Sequence, residues 1–236
     1  MTIIRWLGQA CFLITTLAGT HILIDPPHPQ VGYHIVAGTI PAQVVFVSHE
    51  HPDHNFVEAA MDNPTVVNPL SQPGTANGKV STPRGNKTEV INYQRIFAYH
   101  DNVQGKQRGA DTITVVQTGG LRIVHLGDLG QLALTPEQIH EIGRVDVLMI
   151  PVGGFYTIDG TQAAAIAAQL HPRVIIPMHY GTPALSADLR TKLAPPDAFL
   201  TAMAGKANVV RIRARDLRLS PKTLPKTPTI YMLRYE

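Results

Sequence analysis

The segment Val44-Val45-Phe46-Val47-Ser48-His49-Glu50-His51-Pro52-Asp53-His54 constrains this chain more than any other. Its four apolar residues read as a buried strand, which delivers four metal-ligating side chains between positions 49 and 54. In an extended segment, residues two apart project to the same side, so His49 and His51 can grip one ion. Pro52 blocks further strand pairing and turns the chain. Asp53 and His54 then project toward a second ion nearby. Imidazole nitrogen and carboxylate oxygen suit zinc, manganese or iron. Glu50 points the opposite way by strand alternation and is expected to be a solvated acid or a support for a ligand.

Composition sharpens this reading. The chain has eleven histidines against one cysteine. Cys11 can form neither an intramolecular disulfide nor a cysteine-based zinc site, and is expected in the core. With 236 residues, 44% of them hydrophobic and 16% charged, the chain can bury about 70% of its unfolded surface without staples. No apolar run approaches the roughly 20 residues of a membrane helix. The net charge of +3 is small. Arg211, Arg213, Arg215 and Arg218 form a short basic cluster, and the first three alternate with apolar residues, which reads as the wet face of a strand rather than a nucleic-acid stripe. Gln9, Thr15 and Thr16 interrupt the N-terminal apolar stretch, which reads as a hairpin turning at 17–20 rather than a signal peptide. A cytoplasmic location is therefore expected.

Strand candidates are 3–7, 11–15, 22–24 and 44–47 in the first half, followed by 89–92, 95–99, 112–117 and 121–126. Residues 25–38 look like an ordered loop. The proline-bearing stretch 63–87 also reads as loop. The second half alternates differently: a helix at 135–141 capped by Thr135, an apolar strand at 145–150, an alanine-rich helix at 161–170, a strand at 174–176 and a short helix at 186–193 capped by Ser186. Residues 208–212 and 230–233 read as strands. This order suggests helices layered on sheet, with no linker that would split residues 1–236 into more than one domain.

Ser-His-Glu-His-Pro-Asp-His (48–54) closely resembles the signature of the metallo-β-lactamase superfamily. The later motifs follow in order: Tyr99-His100-Asp101, His125-Leu126-Gly127-Asp128 and Pro177-Met178-His179-Tyr180-Gly181. The opening from Leu7-Gly8-Gln9-Ala10 to Leu23-Ile24-Asp25-Pro26 is similar to that superfamily's first hairpin. The matches at 125–130, 149–157 and 176–182 resemble the subgroup of metal-dependent hydrolases that includes L-ascorbate-6-phosphate lactonase. The resemblance implies an α/β chain of the α+β type, a four-layer αββα sandwich with its site where loops converge at one edge.

Carried over residue by residue, the resemblance implies His49, His51 and His100 on a first divalent ion, with Asp53, His54 and His179 on a second. Asp128 would bridge them. Zinc is the expected metal, with manganese or iron as alternatives. The implied activity is a dinuclear hydrolase whose metal-bound hydroxide, oriented by Asp53 and Asp128, cleaves an ester, lactone or phosphoester in a small cytoplasmic metabolite. A phosphodiesterase acting on nucleotides or nucleic acid, and a catalytically silent metal-binding module, are the alternatives. His51 stands where flavodiiron proteins carry Glu, which argues against diiron redox chemistry. Asp25 is a candidate to hold a ligand imidazole, and His125 a candidate ligand, proton shuttle or core residue. Tyr156 and Tyr180 are candidate hydrogen-bond donors to the reacting group. His28 and His34 are expected at the surface, and His21, His140 and His171 in structural roles. The partner is a small-molecule substrate, not nucleic acid or membrane. An oligomer is permitted but not required. Specificity falls to the loops at 26–38, 63–88 and 153–160.

Overall fold

In the computed structural model, which describes residues 1–61, 63–84 and 87–235, period-two alternation builds the first sheet. It contains β1 (Thr2–Gly8), β2 (Cys11–Thr15), β3 (His21–Ile24), β4 (Val44–Phe46) and β5 (Thr65–Val67). Ile4, Trp6, Phe12, Ile14, Ile22, Ile24, Val44 and Phe46 point to one face and enter the main core. Leu7, Cys11, Leu13, Leu23 and Val45 point to the other face and form a smaller core. Cys11 is thus a packing residue, and burial pushes its thiol well above the usual range. The expected hairpin forms between β2 and β3, with Gly19 at φ +89° in the turn.

The second sheet begins with β6 (Thr75–Arg84), β7 (Lys87–Tyr99), β8 (Ala110–Thr118) and β9 (Leu121–His125). These strands pair as an antiparallel meander. Next come α1 (Pro136–Ile142), β10 (Val147–Pro151), α2 (Gly160–Leu170) and β11 (Val174–Met178). Here β9, β10 and β11 run parallel, as their helical crossovers require. Every residue of β10 and β11 is buried, which explains their nearly unbroken apolar runs. The chain closes with α3 (Ala187–Lys192), α4 (Asp197–Ala202), β12 (Asn208–Arg211), β13 (Asp216–Leu219) and β14 (Thr229–Met232).

The six-stranded sheet has the order β13-β1-β2-β3-β4-β5, and the eight-stranded sheet the order β12-β14-β11-β10-β9-β8-β7-β6. Helices α1 and α2 pack on the eight-stranded sheet, and α4 packs on α2 with Phe199 in the same core. The layer outside the six-stranded sheet is thinner: Val31, Tyr33, Ile35 and Ile40 from the 25–43 segment, with Leu185, Leu189 and Leu193 around α3. This is the expected four-layer sandwich, with one helical layer largely replaced by ordered loop. No helix among the described residues is long and apolar enough to cross a membrane.

Three expectations need correction. The stretch 63–87 is not loop throughout: β5 and the long β6 lie within it, and β6 pairs with β7 along its whole length. Pro83 is tolerated because β6 is an edge strand, where a missing N–H breaks no ladder. Gly85 and Asn86, in the same stretch, lie outside the described residues. The arginine run is not one wet strand face: β12 ends at Arg211, and the chain crosses to the other sheet before β13 starts at Asp216. Ser186 occupies the cap position of α3 but makes no side-chain capping bond.

Candidate metal centre

Topology gathers the polar residues. Strands β3 and β4 are parallel, and β7, β9, β10 and β11 share one direction in the other sheet. Asp25, the 48–54 segment, His100, Asp128 and His179 follow the C-terminal ends of β3, β4, β7, β9 and β11. All five connections therefore open on the same edge of the sandwich.

Two groups of side chains meet there. His49, His51 and His100 form one, and Asp53, His54, Asp128 and His179 the other, with the ligand atoms of each group within 4.8 Å of one another. His49 and His51 do come together, ring centroids 4.5 Å apart. The backbone reason differs from the expected one: residues 48–51 bend instead of continuing the strand, and 52–54 form a turn closed by His54 N–H to the His51 carbonyl. Asp128 reaches both groups. Its Oδ2 lies 3.3 Å from His100 Nε2 and 3.2 Å from His179 Nε2, and its Oδ1 lies 3.1 Å from His54 Nε2.

The electrostatics split the histidines. Burial and neighbouring His54 push His49 down to about 4, and burial does the same to His100. Asp128 and Asp53 outweigh burial at His179, raising it to about 9, and His54 is also raised by its carboxylates. Asp53 and Asp128 are held well below the usual carboxylate range by the same histidines, against the pull of burial. His49 Nε2, His54 Nε2, His179 Nε2 and Asp128 Oδ1 are buried and none makes a well-aligned hydrogen bond, although His54 Nε2 and His179 Nε2 face the Asp128 carboxylate at 3.1 and 3.2 Å. Such atoms are costly in an interior, and a divalent cation is what this nitrogen and oxygen set accommodates.

The residues behind the groups are equally ordered. Asp25, wholly buried, accepts from Ser48 N–H at 2.7 Å and Ser48 Oγ at 2.6 Å, and pairs with His54 Nδ1 at 2.9 Å. This is the imidazole-holding role considered for it, and it leaves His54 Nε2 facing Asp128. His125 is a core residue: its Nδ1 accepts from Gly127 N–H and its Nε2–H donates to the Ala10 carbonyl. Glu50 is exposed and accepts from Asn55, as a solvated acid does. His28 and His34 are exposed, as are His140 and His171. Tyr156 lines the cleft with His51, Asp53 and His100. Tyr180 does not: it packs on Trp6, centroids 5.2 Å apart, and lines a separate cavity.

Four contributors were missed in the sequence. Gln9 Nε2 donates to Asp53 Oδ2 at 3.1 Å, and the Gln9 carbonyl accepts from His179 N–H. Asp111 lies 3.6 Å from His49 Nδ1 and accepts from Asp128 N–H; burial and nearby Asp128 and Asp25 raise it to about 7. Arg95, buried on the same side, donates to the Val47 carbonyl and to Thr114 Oγ1. Arg108 reaches the cleft from the loop after His100. Asp111 and Arg95 lie in strands, where only an apolar pattern was legible. A charged residue inside such a pattern was the available signal.

A mixed sandwich with histidines and aspartates gathered at one edge defines a metal-site protein, and comparison with known proteins gives its family. A profile of the beta-lactamase superfamily domain matches residues 3–179. A UPF0173 metal-dependent hydrolase of Anaeromyxobacter dehalogenans is 31% identical, over 88% of this chain and 83% of the relative. A Thermotoga maritima structure, described as a candidate Zn-dependent hydrolase of the metallo-beta-lactamase superfamily, is 30% identical with a TM-score of 0.71, covering 100% of both chains. A metallo hydrolase from Ignicoccus hospitalis shares the fold at 19% identity and TM-score 0.60, covering 86% of this chain and 91% of that one. The chain belongs to the metallo-β-lactamase superfamily, among the UPF0173 metal-dependent hydrolases.

Proposed function

We propose that this metal-dependent hydrolase works with two divalent ions, most consistent with zinc, and cleaves an ester, lactone or phosphoester bond in a small metabolite. His49, His51 and His100 would hold the first ion and Asp53, His54 and His179 the second, with Asp128 between them. The position of the Asp128 carboxylate, in reach of His54, His100 and His179 at once, carries this reading. A metal pair supplies Lewis acidity to activate a water and polarise the scissile group.

The chain's own residues supply the rest. Asp53 and Asp128 are ionised at neutral pH and able to orient and accept the proton of an attacking water. Gln9 fixes Asp53, and Asp25 and Ser48 fix His54, so the groups are set before substrate arrives. Above them lies a cleft of about 390 Å³, of a size that takes a small metabolite.

The test is initial hydrolysis rates of the metal-reconstituted protein on lactones, carboxylic esters and phosphodiesters, beside Asp128→Ala. A carbonyl-substrate rate that the variant loses by orders of magnitude supports the reading. A rate confined to phosphodiesters moves the assignment to a phosphodiesterase, and rates equal in both proteins remove the site from catalysis.

A further inference from the structure

The cleft over the metal groups contains a cation that neither group uses. Arg108 lines it together with His51, Asp53, His100 and Asp128, and also lines the adjoining cavity beside His49 and His51. Arg108 therefore borders both spaces that flank His51.

The loop that presents Arg108 is unusually well tied. The Asp101 carboxylate, next to His100, accepts four main-chain N–H groups: Val103 at 2.9 Å, Gly105 at 2.8 Å, Gln107 at 2.9 Å and Arg108 itself at 2.8 Å. The side chain is then fixed from the other wall. Arg108 Nη2 donates to the Phe155 carbonyl at 2.9 Å, and its Cζ lies 5.7 Å from the centre of the Tyr156 ring. Two anchors hold a half-buried guanidinium at a cleft, yet among the described residues no carboxylate pairs with it. The other flexible cation there, Lys192, is already met by Asp188 at 2.7 Å.

A preorganised, unpaired guanidinium with free N–H groups is a receptor for a planar or tetrahedral oxyanion. We propose that Arg108 forms an anion subsite beside the metal groups, and that the substrate carries a carboxylate or phosphate group apart from the bond that is cleaved. Tyr156 forms the wall of the subsite, its ring centre 5.7 Å from Arg108 Cζ and 5.9 Å from Lys192 Nζ. This rests on the hydrolytic reading for its catalytic consequence, while the binding consequence stands by itself.

The experiment has two arms on the metal-loaded protein. In the first, aryl esters of equal chain length, ending in methyl, carboxylate or phosphonate, are compared by kcat/KM. The charged-to-neutral ratio is expected to fall by about 10- to 100-fold in Arg108→Gln and further in Arg108→Glu, with Arg108→Lys keeping part of it. Taking a ratio within each protein removes general damage to the site. In the second arm, the Kd of glutarate and of propylphosphonate is measured by calorimetry, and Arg108→Gln is expected to weaken at least one by a similar factor. Which of the two weakens more assigns carboxylate or phosphate as the recognised group. Equal Kd values in wild type and Arg108→Gln, or no binding of either anion to wild type, overturn the subsite. Failure to cleave any ester counts against the hydrolytic reading alone, because the calorimetric arm decides the subsite independently.

Discussion

Asp25 Oδ2 lies 2.9 Å from His54 Nδ1, and both side chains are wholly buried. The carboxylate also accepts from the main chain and the hydroxyl of Ser48, so it serves three donors. An asparagine offers only one acceptor oxygen and could not serve all three. Asp25→Asn is therefore expected to lower metal affinity at the group containing His54 by about 10- to 100-fold, with less change at the His49 group. Competition of each variant against a coloured chelator measures it.

Protonation gives a second prediction. In the metal-free protein the Asp128 and Asp53 carboxylates raise His179 to about 9, so it is a cation at pH 7, and the same carboxylates shift His54 upward. Metal must displace the His179 proton, and uptake should release protons and weaken as pH falls. The same shift sets the stability of the metal-free protein. A raised folded-state pKa favours folding fully below the ordinary histidine value of 6.5, and that contribution is lost as pH rises through about 9. The metal-free melting temperature should fall between these limits, and loaded protein should show less of this fall. Calorimetry in buffers of different ionisation heat counts the protons.

Gly130 tests how closely the loops approach. A Cβ at this position would lie 2.3 Å from the His100 carbonyl carbon and 2.4 Å from Asp101 N, both backbone atoms that cannot swing aside. Gly130→Ala should displace the His100 segment and reduce both metal content and turnover by an order of magnitude or more. It should also destabilise the fold by about 1–3 kcal/mol. Metal analysis and denaturant melts read the two effects separately. An unchanged variant would mean that this approach is not needed.

Arg95 supports the motif strand from beneath. Burial pushes its guanidinium down to about 10, still charged at neutral pH, and it donates to Val47, the last apolar residue before Ser48. Arg95→Met should cost about 3 kcal/mol of stability by stranding the Val47 carbonyl and removing a buried cation that Asp25 and Asp111 both favour. Urea melts check it.

Residues with strong local chemistry were the legible ones. Strands β10 and β11 announced themselves through nearly unbroken apolar runs, α1 through Thr135-Pro136-Glu137, and the 48–54 segment through ligand density. Strand β6 stayed hidden because Thr75-Ala76-Asn77-Gly78-Lys79 is largely exposed on an edge and lacks apolar alternation. Helix α4 went unread behind Pro195 and Pro196, of which Pro196 holds the position before the first helical turn and makes no side-chain capping bond. At the site, Asp111 and Gln9 act through contacts with residues 17 and 44 positions away, and no local pattern encodes such partners. Arg108 gained meaning only when the Asp101-centred loop placed it over the cleft.

The central claim is a two-ion centre joined by Asp128, and metal stoichiometry tests it most directly. Protein reconstituted with zinc, dialysed against buffer and analysed by elemental mass spectrometry should hold two equivalents per chain. Asp128→Ala, folded by circular dichroism, should hold one or fewer. A single equivalent in the wild-type protein, or two retained after loss of Asp128, would contradict the account.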